Sequence, residues 1–442
     1  METYNDPVAY PATERQKASW KEYQDSGKRM ILNIGDVINI KDADVPSIEK
    51  AVRSLSDRHE SIRTIFALRK EGLVQVIYSP SAFKVDIEQV YCKQRLFSGY
   101  KMRNAIEKVL YTPFDLEKGP LVRFALIHTG NNRARFVYAM QHIISDAKSM
   151  QIFRNDFWDY YHSFVSGKPV RKAALSFQMK DFAHWEQNYI NTKEGKRNLD
   201  YWDKMLNAHS AGFQLNSSWL RTGKLNAFRK KGNGGEYTGA ISGPFLDEIK
   251  SFVSARKTSR LCLFYIALAS LFYYLSDQKE IIVIVPITLR DRPGLSEVIG
   301  YLNTDVYLKM EVDVSLPLKD MIAIASERYF EAIDHRHHQI EQVIERGHQY
   351  CAAVINELPS REEAISDWEA KFITKSIRRE IIFPFFFLFT EYTNGLRISC
   401  VYSNKAIDNS KLPVLFQKYV DLLQLMTRNP CESIGNLLSL LG

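Results

Sequence analysis

The chain has 442 residues, long for one hydrophobic core and natural for two domains of roughly 200 residues each. Hydrophobic residues make up 45% and charged residues 25%, the balance of a globular protein rather than a disordered one. A net charge of +8 favours acidic partners, but no basic run is long enough, or interleaved enough with aromatics, to form a nucleic-acid tract.

Five scattered cysteines (Cys92, Cys262, Cys351, Cys400, Cys431) give neither a disulfide framework nor metal-ligand spacing, as expected in a reducing cytoplasm. Met1 to Thr13 is polar and acidic, without the apolar core of a signal peptide. The apolar run Leu261 to Leu275 is shorter than the ~20 residues that span a bilayer, and reads as a buried helix. A soluble cytoplasmic protein is expected.

In chain order, Glu14 to Tyr23 reads as a first helix and Ile31 to Ile40 as a strand. Asp44 caps a helix with Pro46 in its first turn and Ile48, Val52 and Leu55 on one face. Strands at Ile62–Leu68 and Leu73–Tyr78 form a hairpin through Glu71-Gly72. Strand Val122–His128 turns at Asn131-Asn132 into an apolar run, Phe136 to Met140, and the two pair antiparallel.

Polar residues then arrive abruptly, with an imidazole at His142 and a carboxylate at Asp146. Helical spacing follows at Met150, Phe153, Phe157, Tyr160 and Phe164. A strand, a polar turn and a helix hold a side chain on rigid support, and a histidine there can take a proton from a nucleophile. On this segment alone, a core histidine with satisfied hydrogen bonds competes with that reading.

Helices are predicted at Pro244–Lys257, Ser259–Leu275, Leu318–Ile333 and Leu412–Met426, with a strand at Ile281–Pro286. Ile381–Thr390 reads as a fully buried strand, and Pro384 within it predicts an edge or a bulge. Polar, Gly-containing Ser217–Gly235 is the linker candidate; its glycines lack the Lys-Ser/Thr and helix start of a phosphate loop. His335, His337 and His338 lack a further ligand, so a solvated helix end is favoured over a metal cluster.

Several stretches together resemble the condensation domains of nonribosomal peptide synthetases, within the chloramphenicol acetyltransferase-like superfamily. Met140 to Ser149 is similar to that family's Met-His-His-x-x-x-Asp-Gly-x-Ser, with Gln141 in place of the first His and Ala147 in place of Gly. Arg58-His59-Glu60-Ser61-Ile62-Arg63-Thr64-Ile65-Phe66 matches Arg-His-Glu-x-Leu-Arg-Thr-x-Phe at nearly every position. Pro113-Phe114-Asp115-Leu116, Asp181-Phe182-Ala183-His184-Trp185 and Ile299-Gly300-Tyr301-Leu302-Asn303-Thr304 resemble further motifs, the last one residue short. Gln16 and Trp20 resemble the first motif loosely, the sixth survives as His338-Gln339-Ile340-Glu341, and no counterpart of the seventh is found.

The resemblance implies an α/β fold: two acetyltransferase-like α/β sandwich subdomains in a V-shaped pseudo-dimer with a central tunnel. Residues 1–180 would form the first and carry the His motif, 181–235 the connecting helices and linker, and 236–442 the second. His142 would be the catalytic residue, and Asp146 would pair with Arg63 to hold the turn beneath it. Gln141 and Ala147 would be structural at the active site, Ala147 unfavourably if the backbone there needs positive φ. Ser145, Ser149, Tyr301 and Asn303 would line the tunnel.

The implied activity is that of a free-standing condensation enzyme. It forms an amide between a carrier-protein-bound acyl or aminoacyl thioester and an amine, in natural-product biosynthesis. No cofactor or metal is held; the donor arrives on the phosphopantetheine arm of a carrier protein in trans. The acceptor is a small or carrier-bound amine. A monomer is expected, without nucleic-acid or membrane partners. The alternatives are an inactive condensation-like domain that recruits a partner enzyme or carrier, and an acyltransferase that makes esters or uses CoA donors.

Overall fold

A computed structural model describes residues 7–27, 32–92, 98–130, 132–170, 172–207, 212–219, 234–339, 342–343, 350–361, 384–403 and 407–441. The chain divides into two compact units, Met1–Thr192 with Thr288–Asn303, and Lys193–Ile287 with Thr304–Gly442. Two expected boundaries change. Residues 181–192 join the first unit, and so does the distant segment 288–303. Most of the predicted linker, 220–233, lies outside the described residues.

The first unit opens with β1 (Val8–Pro11), α1 (Glu14–Asp25), β2 (Asn33–Lys41) and α2 (Val45–Arg58). A capping box of Thr13 and Gln16 starts α1, and Asp44 accepts from Ser47 N to start α2. Next come β3 (Thr64–Arg69), β4 (Gly72–Ile77), β5 (Ile87–Tyr91), α3 (Ser98–Tyr111), β6 (Val122–Gly130) and β7 (Arg133–Gln141). Two long helices close this part, α4 (Ala147–Ser166) and α5 (Met179–Tyr189).

Its main sheet has the order β2-β7-β6-β5, antiparallel except for the β5–β6 pair. A three-stranded antiparallel sheet, β1-β4-β3, stands beside it in the same unit. Alternation along β7 sends Phe136 and Tyr138 to one face, where Phe157 and Phe153 of α4 stack on them at 4.7 and 4.4 Å. On the other face Gly35, opposite Ala139, lies against Leu110 of α3. This sheet is packed on both faces, and β7 carries the polar turn at its end.

The second unit holds α6 (Lys193–Asn207), β8 (Gly234–Ile241), α7 (Pro244–Ala255), α8 (Arg260–Ser276), β9 (Glu280–Thr288) and β10 (Asn303–Glu311). It continues with α9 (Leu318–Asp334), β11 (Cys351–Leu358), β12 (Phe385–Tyr392), β13 (Gly395–Ser403) and helices Leu412–Arg428 and Ile434–Ser439. Six strands form one mixed sheet, β10-β9-β11-β12-β13-β8. The apolar run of the sequence is α8, capped by Ser259 and almost wholly buried.

Phe385, Phe387 and Phe389 of β12 share one sheet face with Ile398 and Cys400 of β13, and join the core around α8 and helix Leu412–Arg428. Pro384 is neither at an edge nor in a bulge. It precedes β12, which is paired on both sides, so its missing N–H falls outside the ladder. Residues 381–383 of the predicted strand lie outside the described residues. No single helix among the described residues is long and apolar enough to cross a membrane.

Candidate functional site

His142 begins one turn of 3₁₀ helix, His142–Ile144, at the point where β7 ends. Local side chains build this turn. Gln141 Oε1 accepts from the Ile143 amide, Ser145 N donates to His142 O at 3.1 Å, and Ser145 Oγ donates to Gln141 O at 3.0 Å. The His142 amide donates to Leu32 O at 2.7 Å, which ties the turn to the start of β2. The imidazole is half-buried, and its ring centroid lies 4.1 Å from that of Tyr301. The guanidinium of Arg15, from α1, sits over the Tyr301 ring at 4.8 Å.

Four residues on, at the head of α4, lies a buried carboxylate. Asp146 is 2% exposed and caps α4, with Oδ1 accepting from Ser149 N at 2.8 Å and from Ser149 Oγ at 2.7 Å. Arg290 closes on it as a fork: Nη1 to Oδ2 at 2.6 Å and Nη2 to Oδ1 at 2.9 Å. The Leu302 amide also donates to Oδ2, at 3.1 Å. Burial alone would raise the pKa of this carboxyl; the charge of Arg290 and the hydrogen bonds from Arg290 and Ser149 outweigh it and hold the pKa below the usual carboxylate value.

The expected partner of Asp146 was Arg63, and the structure replaces it with Arg290. Arg63 donates from Nε to Ser56 O at 3.1 Å and from Nη1 to Tyr78 O, joining the end of α2 to the end of β4. Its neighbours in the same motif fasten helices. Asp156 of α4 receives Arg58 Nε at 3.0 Å and Lys172 Nζ at 2.6 Å, and lies 2.9 Å from His59 Nε2. Burial lowers the His59 pKa despite the carboxylate beside it, so this histidine is a packed structural group.

Segment 288–303 presents Arg290 to the turn. Its ends meet through Leu289 N to Leu302 O at 2.8 Å, and Leu289, Leu295, Val298 and Leu302 pack with Met179 and Phe182 of α5. Gly300 is pressed onto Met179, where an added Cβ would fall 2.0 Å from Sδ. Ser149 Oγ accepts from Gly300 N at 3.0 Å and lies 2.9 Å from Gly300 O. The fifth motif and the histidine turn are therefore one hydrogen-bonded structure.

The other predicted site residues divide. Ser145 and Ser149 were expected to line a passage; both are fully buried, with hydroxyls committed to Gln141, Asp146 and Gly300. Tyr301 is at the imidazole, and half-buried Asn303 has a buried Oδ1 with no hydrogen-bond partner among the described residues. Ala147 is the first residue of α4 and is not among the positive-φ residues, so its methyl group costs no backbone strain. Lys148 is exposed and bonds Gln151. His335 bonds Asn198 and stacks on Tyr201, and no group of three or more metal-ligating side chains occurs among the described residues.

Sequence reasoning missed Arg290 because its partner is 144 residues away. Nothing in Thr288-Leu289-Arg290-Asp291-Arg292 separates it from Arg292, which lies over Trp185. A buried carboxylate in a motif does require some cation nearby; it does not say which.

The profile of the condensation domain family matches residues 8–441. The chain belongs to the condensation domain family. It is 26% identical to gramicidin S synthase 2 of Aneurinibacillus migulanus over 341 residues, 76% of this chain and 7% of that protein. It thus spans less than a tenth of that relative. The first condensation domain of the CDA synthetase superposes with a TM-score of 0.80 at 16% identity, over 97% of this chain and 98% of that one. A structure of the complex of the X-domain and OxyB from teicoplanin biosynthesis gives 0.79 at 18% identity, over 99% and 97%. These likenesses establish a condensation-domain fold.

Proposed function

We propose that this condensation domain joins an acyl group, carried as a thioester on the phosphopantetheine arm of a carrier protein, to an amine. Condensation domains are acyltransferases that form amide bonds, and the histidine turn has the parts such a reaction uses. The observation that carries the reading is the half-buried His142 imidazole on a turn held by the buried Asp146–Arg290 fork.

The amine attacks the thioester carbon, the C–N bond forms, and the carbonyl oxygen takes on negative charge. His142 accepts the proton released from nitrogen. The C–S bond then breaks, and the proton passes to the departing thiolate. A base at this position contributes about 10²- to 10⁴-fold. Asp146 is fully occupied by Arg290, Ser149 and Leu302 N, so it acts only by fixing the turn.

His142→Ala, assayed with an acyl-loaded carrier protein and an amine panel by mass spectrometry, is expected to lose about 10²- to 10⁴-fold in amide formation while its circular dichroism is unchanged. Undiminished product would sink the proposal. A recruiting role is a second reading, favoured by Gln141, which cannot ionise. Partner binding indifferent to His142→Ala, with no turnover, would select it.

A further inference from the structure

The ring that touches His142 has a second neighbour, and that neighbour is charged. Tyr301 is 6% exposed. The imidazole centroid lies 4.1 Å from its ring centroid, tilted by 36°, and the guanidinium carbon of Arg15 stands over the ring at 4.8 Å. All three residues belong to the first unit. The two distances put the guanidinium within about 9 Å of the imidazole, close to the ~8 Å over which physiological salt screens a charge. Arg15 is half-buried, so screening there is weaker than in open solvent.

The residues on either side of Arg15 fix its place. Glu14 donates its amide to Glu186 Oε2 at 2.7 Å and pairs its own carboxylate with Lys17, also at 2.7 Å. Gln16 closes the capping box of α1 and donates from Nε2 to Ile143 O, at 3.4 Å, inside the histidine turn. So α1 and the turn, joined by that bond, bring a guanidinium and an imidazole to one ring.

Other charged groups packed about the turn are met or directed elsewhere. Asp146 is held by Arg290, and Lys148 of α4 is exposed and bonds Gln151. Arg292, on the same segment as Tyr301, lies over Trp185. The end of β2 beside the turn offers the uncharged Leu32, Asn33 and Ile34. Burial keeps the Glu186 carboxyl protonated up to about 8. The face of a tyrosine ring is electron-rich and attracts cations, and Arg15 already takes up that attraction. A proton added to His142 would set a second positive charge against the same ring, and a like charge nearby disfavours the charged form.

We propose that Arg15 is a positioning residue that keeps the His142 imidazole unprotonated, and so able to accept a proton, through the tyrosine ring the two share. The proposal rests on the amide-forming reading only for the use made of that imidazole; the coupling of the two charges needs no turnover.

The test is an NMR titration of the whole protein labelled in its ten histidines, with His142→Gln to assign the His142 resonance. Arg15→Met is expected to raise the His142 midpoint by about 0.3 to 1 unit, the range for one charge at this distance between the screening of water and that of a protein surface. Arg15→Lys keeps the charge and should restore most of the original midpoint. In amide formation, the acid limb of kcat/KM should move to higher pH in Arg15→Met, so that the loss at pH 6 exceeds that at pH 8 by about two- to tenfold. A midpoint unmoved in Arg15→Met, or moved equally in Arg15→Lys, would overturn the proposal. Arg15→Gln replaces the methionine variant if that one does not fold; loss of folding in both would mark Arg15 as structural and overturn it too. A raised midpoint without turnover removes the base reading and leaves the coupling standing. His142-dependent turnover with an unmoved midpoint does the reverse.

Discussion

Two buried charges, one in each unit, have opposite surroundings. Asp146 receives hydrogen bonds from Ser149, Arg290 and the Leu302 amide. Among the described residues Arg397 donates only to the Tyr392 hydroxyl, and its guanidinium also lies over that ring at 5.1 Å. Both are almost fully inaccessible, at 2% exposure, so both lose the same kind of hydration on folding. Among the described residues the first regains it inside the protein and the second does so only in part. A charge met by its own chain fixes the shape of that chain, whereas one left short of partners subtracts from the stability of the fold around it.

The sharpest way to break this comparison is to strip the satisfied charge. Asp146→Ala leaves Arg290 buried without its partner, and a loss of about 3–5 kcal/mol is expected in urea or thermal unfolding, together with loss of activity. Arg290→Met should do the same, and the double variant should lose less than the sum of the two singles. A stable, active Asp146→Ala protein would mean that the network is ornamental.

An acid buried without adequate partners offers an intermediate case. Burial raises the Glu186 carboxyl to about 8, against which a hydrogen bond from the Glu14 amide, at 2.7 Å, and the charge of Lys17 pull only partly. The unfolded chain gives up this proton near pH 4.5 and the folded chain keeps it to about 8, so the unfolded state binds fewer protons in that window. Stability should therefore fall as pH rises from about 4.5 to about 8. Glu186→Gln should flatten that slope and add on the order of a few kcal/mol at the alkaline end. A pH–stability profile identical to that of the unaltered protein would refute it.

The smallest effect is expected at Ala147. Because its backbone is helical, Ala147→Gly should cost about 0.5–1 kcal/mol of stability and give no gain in rate. A large gain in amide formation would show that the methyl group, and not the backbone, had been limiting.

What could be read from the residues in order was local. The β-rich run before His142, the carboxylate spaced to cap a helix, and the threes and fours of Phe153, Phe157 and Tyr160 specify a strand, a turn and a helix without outside help. The helix starts earlier than its apolar spacing alone suggests, because Asp146 caps it at Ala147. Where the residues misled, a distant element decided. Arg63 and Arg290 are equally plausible as cations on paper; folding back segment 288–303 selects the second. β1 and α3 escaped notice for a different reason. β1 has only four residues and ends at Pro11, and α3 opens on Ser98-Gly99 and carries Lys101, Arg103 and Lys108 among its apolar positions.

Segment 288–303 also bears on how this domain is made. During synthesis, the carboxylate at the head of α4 leaves the ribosome 144 residues ahead of the guanidinium that neutralises it. Until residue 290 has been made, the turn lacks the guanidinium that pairs with Asp146, so its full set of hydrogen bonds can form only after residues 193–287 have been translated. A fragment cut at Thr192 would keep every residue of the histidine motif and still lack the arginine that sets its shape.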